Sequence, residues 1–170
     1  MSTGLRLTAF LSVIIISLHG QLYAQKEDVV ARHYTMKDGL SHDNSICMLK
    51  DSQGFLWIGT AKGLNKFDGY QFTSYLNNPY NANSLSNDII YGDNLWEDKQ
   101  QRIWVGSYGG LDVLDPKTEK FYHVTLDSTI DAAPHLHINR RIKVKNIEER
   151  KDGKVWICTS KGIYLVNPDD

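Results

Sequence analysis

The stretch Phe55-Leu56-Trp57-Ile58-Gly59-Thr60, with Gly63-Leu64 behind it, decides the fold of this 170-residue chain because it occurs three times. The second copy is Ile103-Trp104-Val105-Gly106-Ser107 with Gly110-Leu111, and the third is Val155-Trp156-Ile157-Cys158-Thr159 with Gly162-Ile163. The three tryptophans lie 47 and then 52 residues apart. Spacings of roughly 40–50 residues are typical of the blades of a β-propeller. The repetition therefore predicts three small sheets of one design.

Each copy alternates short apolar runs with turn residues, as expected of a four-stranded antiparallel blade. The predicted strands of the first copy are 45–49, 55–59, 64–67 and 71–75, and Asp68-Gly69 is a strong hairpin signal. The second copy repeats the plan at 103–106, 111–114 and 121–124, and the third at 154–159 and 163–166. Because the sequence then reaches Asp170, we expect the third blade to lack its outermost strand.

The predicted fold is all-β, a partial β-propeller of about three consecutive blades over residues 25–170. The repeats span approximately 39–75, 84–124 and 141–170. Three blades cannot close a ring, so apolar surfaces beside Trp57 and Trp156 are expected to remain exposed. We therefore interpret the chain as a fragment that associates with other surfaces or is marginally stable.

Residues 1–24 have the composition of a secretory signal peptide. Arg6 precedes an apolar run over 7–18, and Leu22-Tyr23-Ala24 ends in a small residue, which predicts cleavage after Ala24. The run is shorter than the roughly 20 residues that span a bilayer, although an uncleaved membrane anchor stays open as an alternative. The mature chain is therefore expected outside the cytoplasm.

The charge balance gives no electrostatic footprint for nucleic acid. Removal of Arg6 with the signal leaves 18 basic and 20 acidic residues, a net charge of −2 with histidine neutral. The basic cluster Arg140-Arg141-Ile142-Lys143-Val144-Lys145 alternates with apolar residues. We interpret it as a strand with a charged, solvated face, and a polyanion site is the alternative.

The cysteines and histidines give weak signals for a disulfide or a metal. Cys47 and Cys158 could pair after export, but they lie in the first and third copies, and Cys158 stands where the other copies have glycine, which favours a small buried residue. His135 and His137, beside Asp131, could ligate a metal, but no third ligand stands at a supporting spacing. We predict no metal and no cofactor.

Two further motifs favour turns over binding sites. Asp51-Ser52-Gln53-Gly54 begins like a calcium loop, but the apolar residues that follow supply no oxygen ligands, so a hairpin turn is the better interpretation. The glycines of 106–110 lie between two strands without a following helix, so they build no phosphate site. No serine, cysteine or histidine stands in a recognisable nucleophile context, and no catalytic residue is predicted.

Several of these motifs together resemble the two-component regulator propeller repeat. The matching residues are Tyr34-Thr35-Met36-Lys37-Asp38-Gly39-Leu40-Ser41, Asp51-Ser52-Gln53-Gly54-Phe55-Leu56-Trp57-Ile58-Gly59-Thr60, Gly63-Leu64-Asn65-Lys66-Phe67-Asp68-Gly69, and Asn83-Ser84-Leu85-Ser86-Asn87-Asp88 at the start of the second copy. The resemblance covers about 32–167. It departs at Gln101, which replaces Gly54, at Cys158, and in the stretch from Leu85 to Trp104, which is two residues longer than that from Leu40 to Trp57. We expect strain or a bulge at these places.

The resemblance implies what an intact protein of this family contains. Two tandem seven-bladed propellers are followed by an immunoglobulin-like domain, a membrane helix, a histidine kinase, a receiver and a DNA-binding domain. A glycan fragment bound outside the cell then sets phosphotransfer inside it. None of the later modules lies within these 170 residues, so neither kinase activity nor nucleic-acid binding is predicted for this chain.

Three functions remain open at this point. The first is the N-terminal part of a periplasmic propeller sensor for oligosaccharides in a hybrid two-component phosphorelay. Its partners would be a glycan and the remaining blades, within an intact protein that is dimeric and anchored in the inner membrane. The second is a secreted propeller enzyme, such as a lyase, and the third is a truncated gene product without independent function.

The loops between the copies are the expected place for a ligand, because binding surfaces sit on loops that a rigid scaffold holds. The linkers are 77–84 and 127–141. Tyr80, Tyr108 and Tyr122 could stack on sugar rings, but packing is the favoured role of each. No ligand-binding residue is therefore assigned from the sequence.

Overall fold

The computed structural model describes residues 29–126 and 142–169. The predicted signal peptide and the residues Asp131, His135, His137, Arg140 and Arg141 lie outside the described residues. The described residues from Tyr34 onward belong to one compact unit. A 3₁₀ turn at Met36–Asp38 precedes the strands. These are β1 Ser45–Lys50, β2 Leu56–Thr60, β3 Gly63–Phe67, β4 Phe72–Tyr75, β5 Ile90–Glu97, β6 Ile103–Ser107, β7 Gly110–Asp115, β8 Lys120–Val124, β9 Val144–Glu149, β10 Val155–Thr159 and β11 Gly162–Val166.

The strands form three consecutive antiparallel blades, which confirms the predicted partial propeller. The first blade, β1-β2-β3-β4, is a separate four-stranded sheet. The second blade, β5-β6-β7-β8, and the third, β9-β10-β11, are joined through β5 and β9 into one seven-stranded sheet, and no fourth strand of the third blade lies among the described residues. β5 and β9 run parallel and meet where Asp93 pairs with Asn146. The first strands of neighbouring blades are therefore adjacent, as in a propeller, where they surround a central axis. The motif strands begin and end within one or two residues of their predicted bounds.

The blades are held together by two apolar cores, one at each interface between blades. The first joins Trp57 and Leu64 of the first blade to Ile90, Leu95 and Val105 of the second. In the second core, Trp104 takes the place of Trp57 and packs against the third blade. Trp57 and Trp104 thus each face the next blade. Burying an apolar side chain of this kind contributes roughly 1.5–3 kcal/mol.

This arrangement corrects one expectation from the sequence. Trp57 was predicted to border an exposed surface, but it is completely buried because the second blade covers it. The prediction was right for Trp156, which is 40% exposed, since no fourth blade lies among the described residues. Met48, on the first blade, is 70% exposed at the other end of the series.

A carboxylate at the first turn of each complete blade fixes its tryptophan. Asp51 Oδ2 accepts a 2.8 Å hydrogen bond from the Trp57 indole, while Oδ1 accepts from the backbone N–H groups of Gln53 and Phe55. Asp98 and Trp104 repeat the contact at 2.9 Å. Both oxygens of the Asp51 carboxylate therefore accept hydrogen bonds within the hairpin, which agrees with the interpretation of residues 51–54 as a turn. In the third blade Arg150 replaces the aspartate, and its guanidinium lies 5.6 Å from the Trp156 ring.

The motif glycines allow close approach between blades. A Cβ on Gly59 would lie 2.7 Å from Ile90, and one on Gly106 would lie 2.5 Å from Val144. Cys158 occupies the same position in the third blade and is partly exposed, contrary to the expectation of a buried residue, because its face has no neighbouring blade among the described residues. Cys47 and Cys158 are both free thiols.

Candidate ligand-binding surface

One edge of the three blades is built from equivalent loops, and we call it the linker face. Here the turn between the second and third strands of each blade meets the segment that leads into its first strand. Three backbone hydrogen bonds repeat this contact, from Ala61 to Asn44, from Tyr108 to Ile89, and from Ser160 to Lys143, at 3.1, 3.0 and 2.9 Å. Ala61, Tyr108 and Ser160 are therefore equivalent positions, and only one of them is aromatic.

The two additional residues of the second copy lie in β5, at the linker face. Ile90 pairs with Ser107 and Leu95 with Val105, so residues 91–94 oppose the single residue Gly106. In β1 and β9 the corresponding shift in register leaves only one residue unpaired, Ile46 or Lys145. The expected bulge is thus located in β5, and it projects Tyr91, Gly92 and Asp93 from the strand.

The bulge brings Tyr91 beside Tyr108, and with Lys143 they form what we call the tyrosine cluster. The two ring centroids are 5.7 Å apart with an interplanar angle of 56°. Lys143 Nζ lies 4.3 Å from the Tyr108 centroid, within the range of a cation–π contact. Tyr91 is 57% exposed and Lys143 is also exposed. The cluster is an aromatic and cationic surface in contact with solvent.

Buried contacts beneath the bulge hold the cluster in place. The Asn94 side chain is completely buried, and its Nδ2 donates to the carbonyl of Val144, at 2.9 Å, and to that of Tyr91. Gly92 has φ of +82°, and a Cβ there would lie 2.8 Å from the carbonyl oxygen of Lys145. Only glycine fits this conformation and this close approach without strain. The bulge is therefore anchored to the third blade.

The sequence identified one member of this cluster and missed another. Tyr108 was considered as a sugar-stacking residue, but Tyr91 was not, although the longer spacing from Leu85 to Trp104 marked its place. The structure records no ring contact of Tyr80 or Tyr122 with Tyr108. Tyr80 is 98% exposed in the linker, and Tyr122 is about half exposed on β8.

A hydrogen-bonded group of Ser86, Asp112 and His123 connects the linker to the second blade. The buried Asp112 carboxylate accepts from the Ser86 backbone N–H at 2.9 Å and from His123 Nδ1 at 2.7 Å, while His123 Nε2 donates to the Ala82 carbonyl at 2.8 Å. The hydrogen bond to Asp112 raises the pKa of His123 above its ordinary value, against the effect of burial. Asn65, Ser41 and Ser74 take the equivalent places in the first blade.

This group has the residue types of a catalytic triad but not its geometry. Ser86 Oγ lies 3.1 Å from His123 Nδ1, but that nitrogen also faces the Asp112 carboxylate and Nε2 faces the Ala82 carbonyl, so neither nitrogen is available to remove a proton from Ser86. The Ser86 hydroxyl also donates to Asp112, at 2.5 Å. The arrangement fits a structural connection between linker and blade.

The other motifs considered as sites are accounted for by packing. A Cβ on Gly109 would lie 2.7 Å from Asn87 and one on Gly106 would lie 2.5 Å from Val144, so these two glycines serve close contacts with the segment before β5 and with the third blade. Of the basic cluster, only Val144 and Lys145 lie in β9, so the strand begins later than predicted; the exposed Lys143 and Lys145 alternate with the buried Ile142 and Val144. In the parts of the chain that the structure describes, no cluster of three His, Cys, Asp or Glu could hold a metal, and no helix could span a membrane.

Comparison with known proteins supports the resemblance found in the sequence. A family model described as the two component regulator propeller matches residues 39–62. The extracellular domain of BT3049 from B. thetaiotaomicron, described as a hybrid two-component system, superposes with a TM-score of 0.68 and 26% identity over 81% of this chain. The extracellular domain of BT4673 from the same organism, described as a one-component system, gives a TM-score of 0.57 and 25% identity over 74% of the chain.

A curated relative is 46% identical over 76 residues, and it is named histidine kinase P4, from Formosa agariphila. The match covers 44% of this chain and 6% of the relative. The chain likewise covers only 19% of the BT3049 domain and 16% of the BT4673 domain. These findings confirm the resemblance to regulator propellers. The matched structures are extracellular domains of signalling systems, and the shared part is a small share of each.

Proposed function

We propose that the chain is part of the extracytoplasmic sensor of a hybrid two-component system, and that this sensor recognises an oligosaccharide in the periplasm. The observation that carries the proposal is the superposition on the BT3049 extracellular domain over 81% of the chain. The sequence match to a histidine kinase points to the same class of protein. The signal peptide expected at 1–24 would export the chain to this compartment.

The arrangement of the blades supports recognition rather than chemistry by this segment. Ser86, Asp112 and His123 are the residues that most resemble catalytic machinery, and their hydrogen bonds are spent on holding the linker. The linker face, in contrast, offers the exposed Tyr91 and the partly exposed Tyr108 on an anchored scaffold. The remaining blades of the ring would cover the apolar faces marked by Met48 and Trp156.

The proposal is tested by deleting the codons for residues 34–169 in frame from the chromosomal gene and measuring transcripts during growth on defined oligosaccharides. We expect one set of carbohydrate-utilisation genes to lose its induction, while growth on glucose is unchanged. A matched strain that carries the deletion and a restored copy of the gene should recover induction. Unchanged induction on every oligosaccharide would contradict the proposal, as would a reading frame without a downstream membrane helix and kinase.

A further inference from the structure

We propose that the tyrosine cluster of Tyr91, Tyr108 and Lys143 is a contact site for a carboxylated sugar, so that the ligand is an acidic oligosaccharide. This inference rests on the proposed function, since it names the chemical class of the saccharide and the residues of this chain that bind it.

The first argument is that the cluster is not required to build a blade. The first and third blades make the same connection at the linker face with Ala61 and Ser160 in place of Tyr108. Their first strands also lack the two additional residues that project Tyr91 in β5. An aromatic pair of the exposed Tyr91 and the partly exposed Tyr108, which only one blade carries, is best explained by recognition, because packing is achieved without it in the other two.

The second argument is that buried contacts fix the conformation of this bulge. Asn94 is completely buried, and its amide binds the carbonyls of Tyr91 and Val144. Gly92 takes a left-handed conformation against the backbone of Lys145. Fixing an exposed aromatic side chain before a ligand arrives reduces the ordering cost of binding. Tyr91 is therefore presented on a rigid support, while more than half of its surface remains in solvent.

The third argument concerns the chemistry of the three side chains. Tyrosine rings pack against the apolar C–H face of a pyranose and offer a hydroxyl to its polar edge. Lys143 adds a positive charge beside the rings, and none of the ion pairs that the structure records among the described residues involves it. Asp93, the other exposed residue of the bulge, forms no ion pair with Lys143 in the part of the chain that the structure describes. A sugar carboxylate at Lys143 would complete the site.

The test uses the mature protein with all residues that follow Asp170 in frame, titrated calorimetrically with tetrasaccharides of galacturonate, glucuronate and mannuronate. Neutral tetrasaccharides of galactose, glucose and mannose are the matched ligands. We expect at least one uronate to bind about tenfold more tightly than its neutral counterpart, and Tyr91→Ala to weaken that binding about tenfold. Lys143→Met should remove the preference for the uronate, and Lys143→Arg should keep it.

Tyr80→Ala and Tyr122→Ala are matched controls, because both tyrosines are exposed but lie outside the cluster. Both variants should bind like the unsubstituted protein. Tyr91→Ala is the decisive variant even if Tyr108→Ala unfolds, since the exposed side chain of Tyr91 can be removed without opening a core. Saccharide binding that Tyr91→Ala and Lys143→Met leave unchanged, or a preference for neutral sugars, would overturn this inference while the proposed function stands. Binding of none of the saccharides would count against both.

Discussion

At the scale of single residues, the same position in successive blades carries different chemistry, and each difference has a measurable cost. The turn that follows the first strand is an example. Gly54 and Gly153 occupy it with φ of +95° and +85°, but the second blade has Gln101 with φ of +65°. A residue with a Cβ is strained in this region by roughly 1 kcal/mol. The strain expected from the sequence at Gln101 is present in the structure.

We therefore predict that Gln101→Gly raises the free energy of unfolding by about 0.5–1 kcal/mol, because it relieves this strain. The reverse exchange in the first blade, Gly54→Gln, should lower it by a similar amount. Urea denaturation followed by tryptophan fluorescence measures both. A destabilised Gln101→Gly variant would show that the side-chain contact of Gln101 with Ser52, at 3.2 Å, outweighs the backbone strain.

The pair of His123 and Asp112 predicts a stability that depends on pH. The folded-state pKa of His123 is raised above 6.5, so its contribution is fully present below about pH 6.5 and is lost as pH rises through the folded pKa. Urea denaturation between about pH 5.5 and 8.5 should show stability falling toward the upper end.

The first blade supplies the control for this prediction, because Asn65 and Ser74 fill the same two positions without a titrating group. The double variant Asp112→Asn/His123→Ser should lose the part of the pH dependence that lies near neutral pH. If the slope persists in the double variant, another group is responsible for it.

At the scale of strands, the motif strand of each blade is shaped by the blade that follows it. Gly106 makes room for Val144, and Gly59 makes room for Ile90 as well as for Cys47 of its own blade, so both glycines lie where a neighbouring blade packs against the motif strand. This explains why the third copy of the motif can carry Cys158 without disturbing the described fold. The sequence alone showed that cysteine replaces the motif glycine in the third copy. The structure was needed to show which face of each strand packs against a neighbouring blade.

We predict that Gly106→Cys lowers the free energy of unfolding by about 1–3 kcal/mol, because the new side chain overlaps Val144. Cys158→Gly is the matched exchange and should cost less than about 1 kcal/mol in the same chain, the ordinary penalty of glycine in a strand. Chemical denaturation of the two variants under reducing conditions compares them directly. Equal losses would mean that the two positions are not distinguished by a neighbouring blade.

The sequence predicted the motif strands well, but it predicted the first strands of the second and third blades poorly. Trp57, Trp104 and Trp156 repeat with their flanking glycines, so local pattern was sufficient for the motif strands. β5 escaped prediction because its bulge interrupts the alternation of apolar residues. The tyrosine cluster could be only half foreseen, because Tyr91 and Lys143 are 52 residues apart and meet only through the packing of one blade on another.

At the scale of the whole molecule, the three blades form a series with one open face at each end. Trp156, Ile163 and Leu165 are exposed together on one face of the third blade, at 40%, 68% and 42%. Trp156 pairs with Leu165 across two strands, and Cys158 pairs with Ile163. An apolar face of this kind favours association when the surrounding blades are missing.

We predict that residues 25–170, produced alone, associate through this face, and that Trp156→Glu shifts them toward monomer in light scattering coupled to size-exclusion chromatography. Because Trp156 is already partly in solvent, the substitution should change the free energy of unfolding by less than about 1 kcal/mol. Trp104→Ala should instead cost about 3–5 kcal/mol, since that ring is buried between two blades. Association that persists in Trp156→Glu would place the contact elsewhere.

The labelling rate of the Cys158 thiol reports whether the open face of the third blade is covered. Burial raises the pKa of the Cys47 thiol and so lowers its thiolate fraction, while Cys158 lies on the face that a fourth blade would cover. A thiol-specific reagent should therefore modify Cys158 first in the short chain, at dilutions where that chain is monomeric. In a longer product with additional blades, the same sulfur should become slow to react, so the labelling rate would report ring assembly without any substitution in the protein.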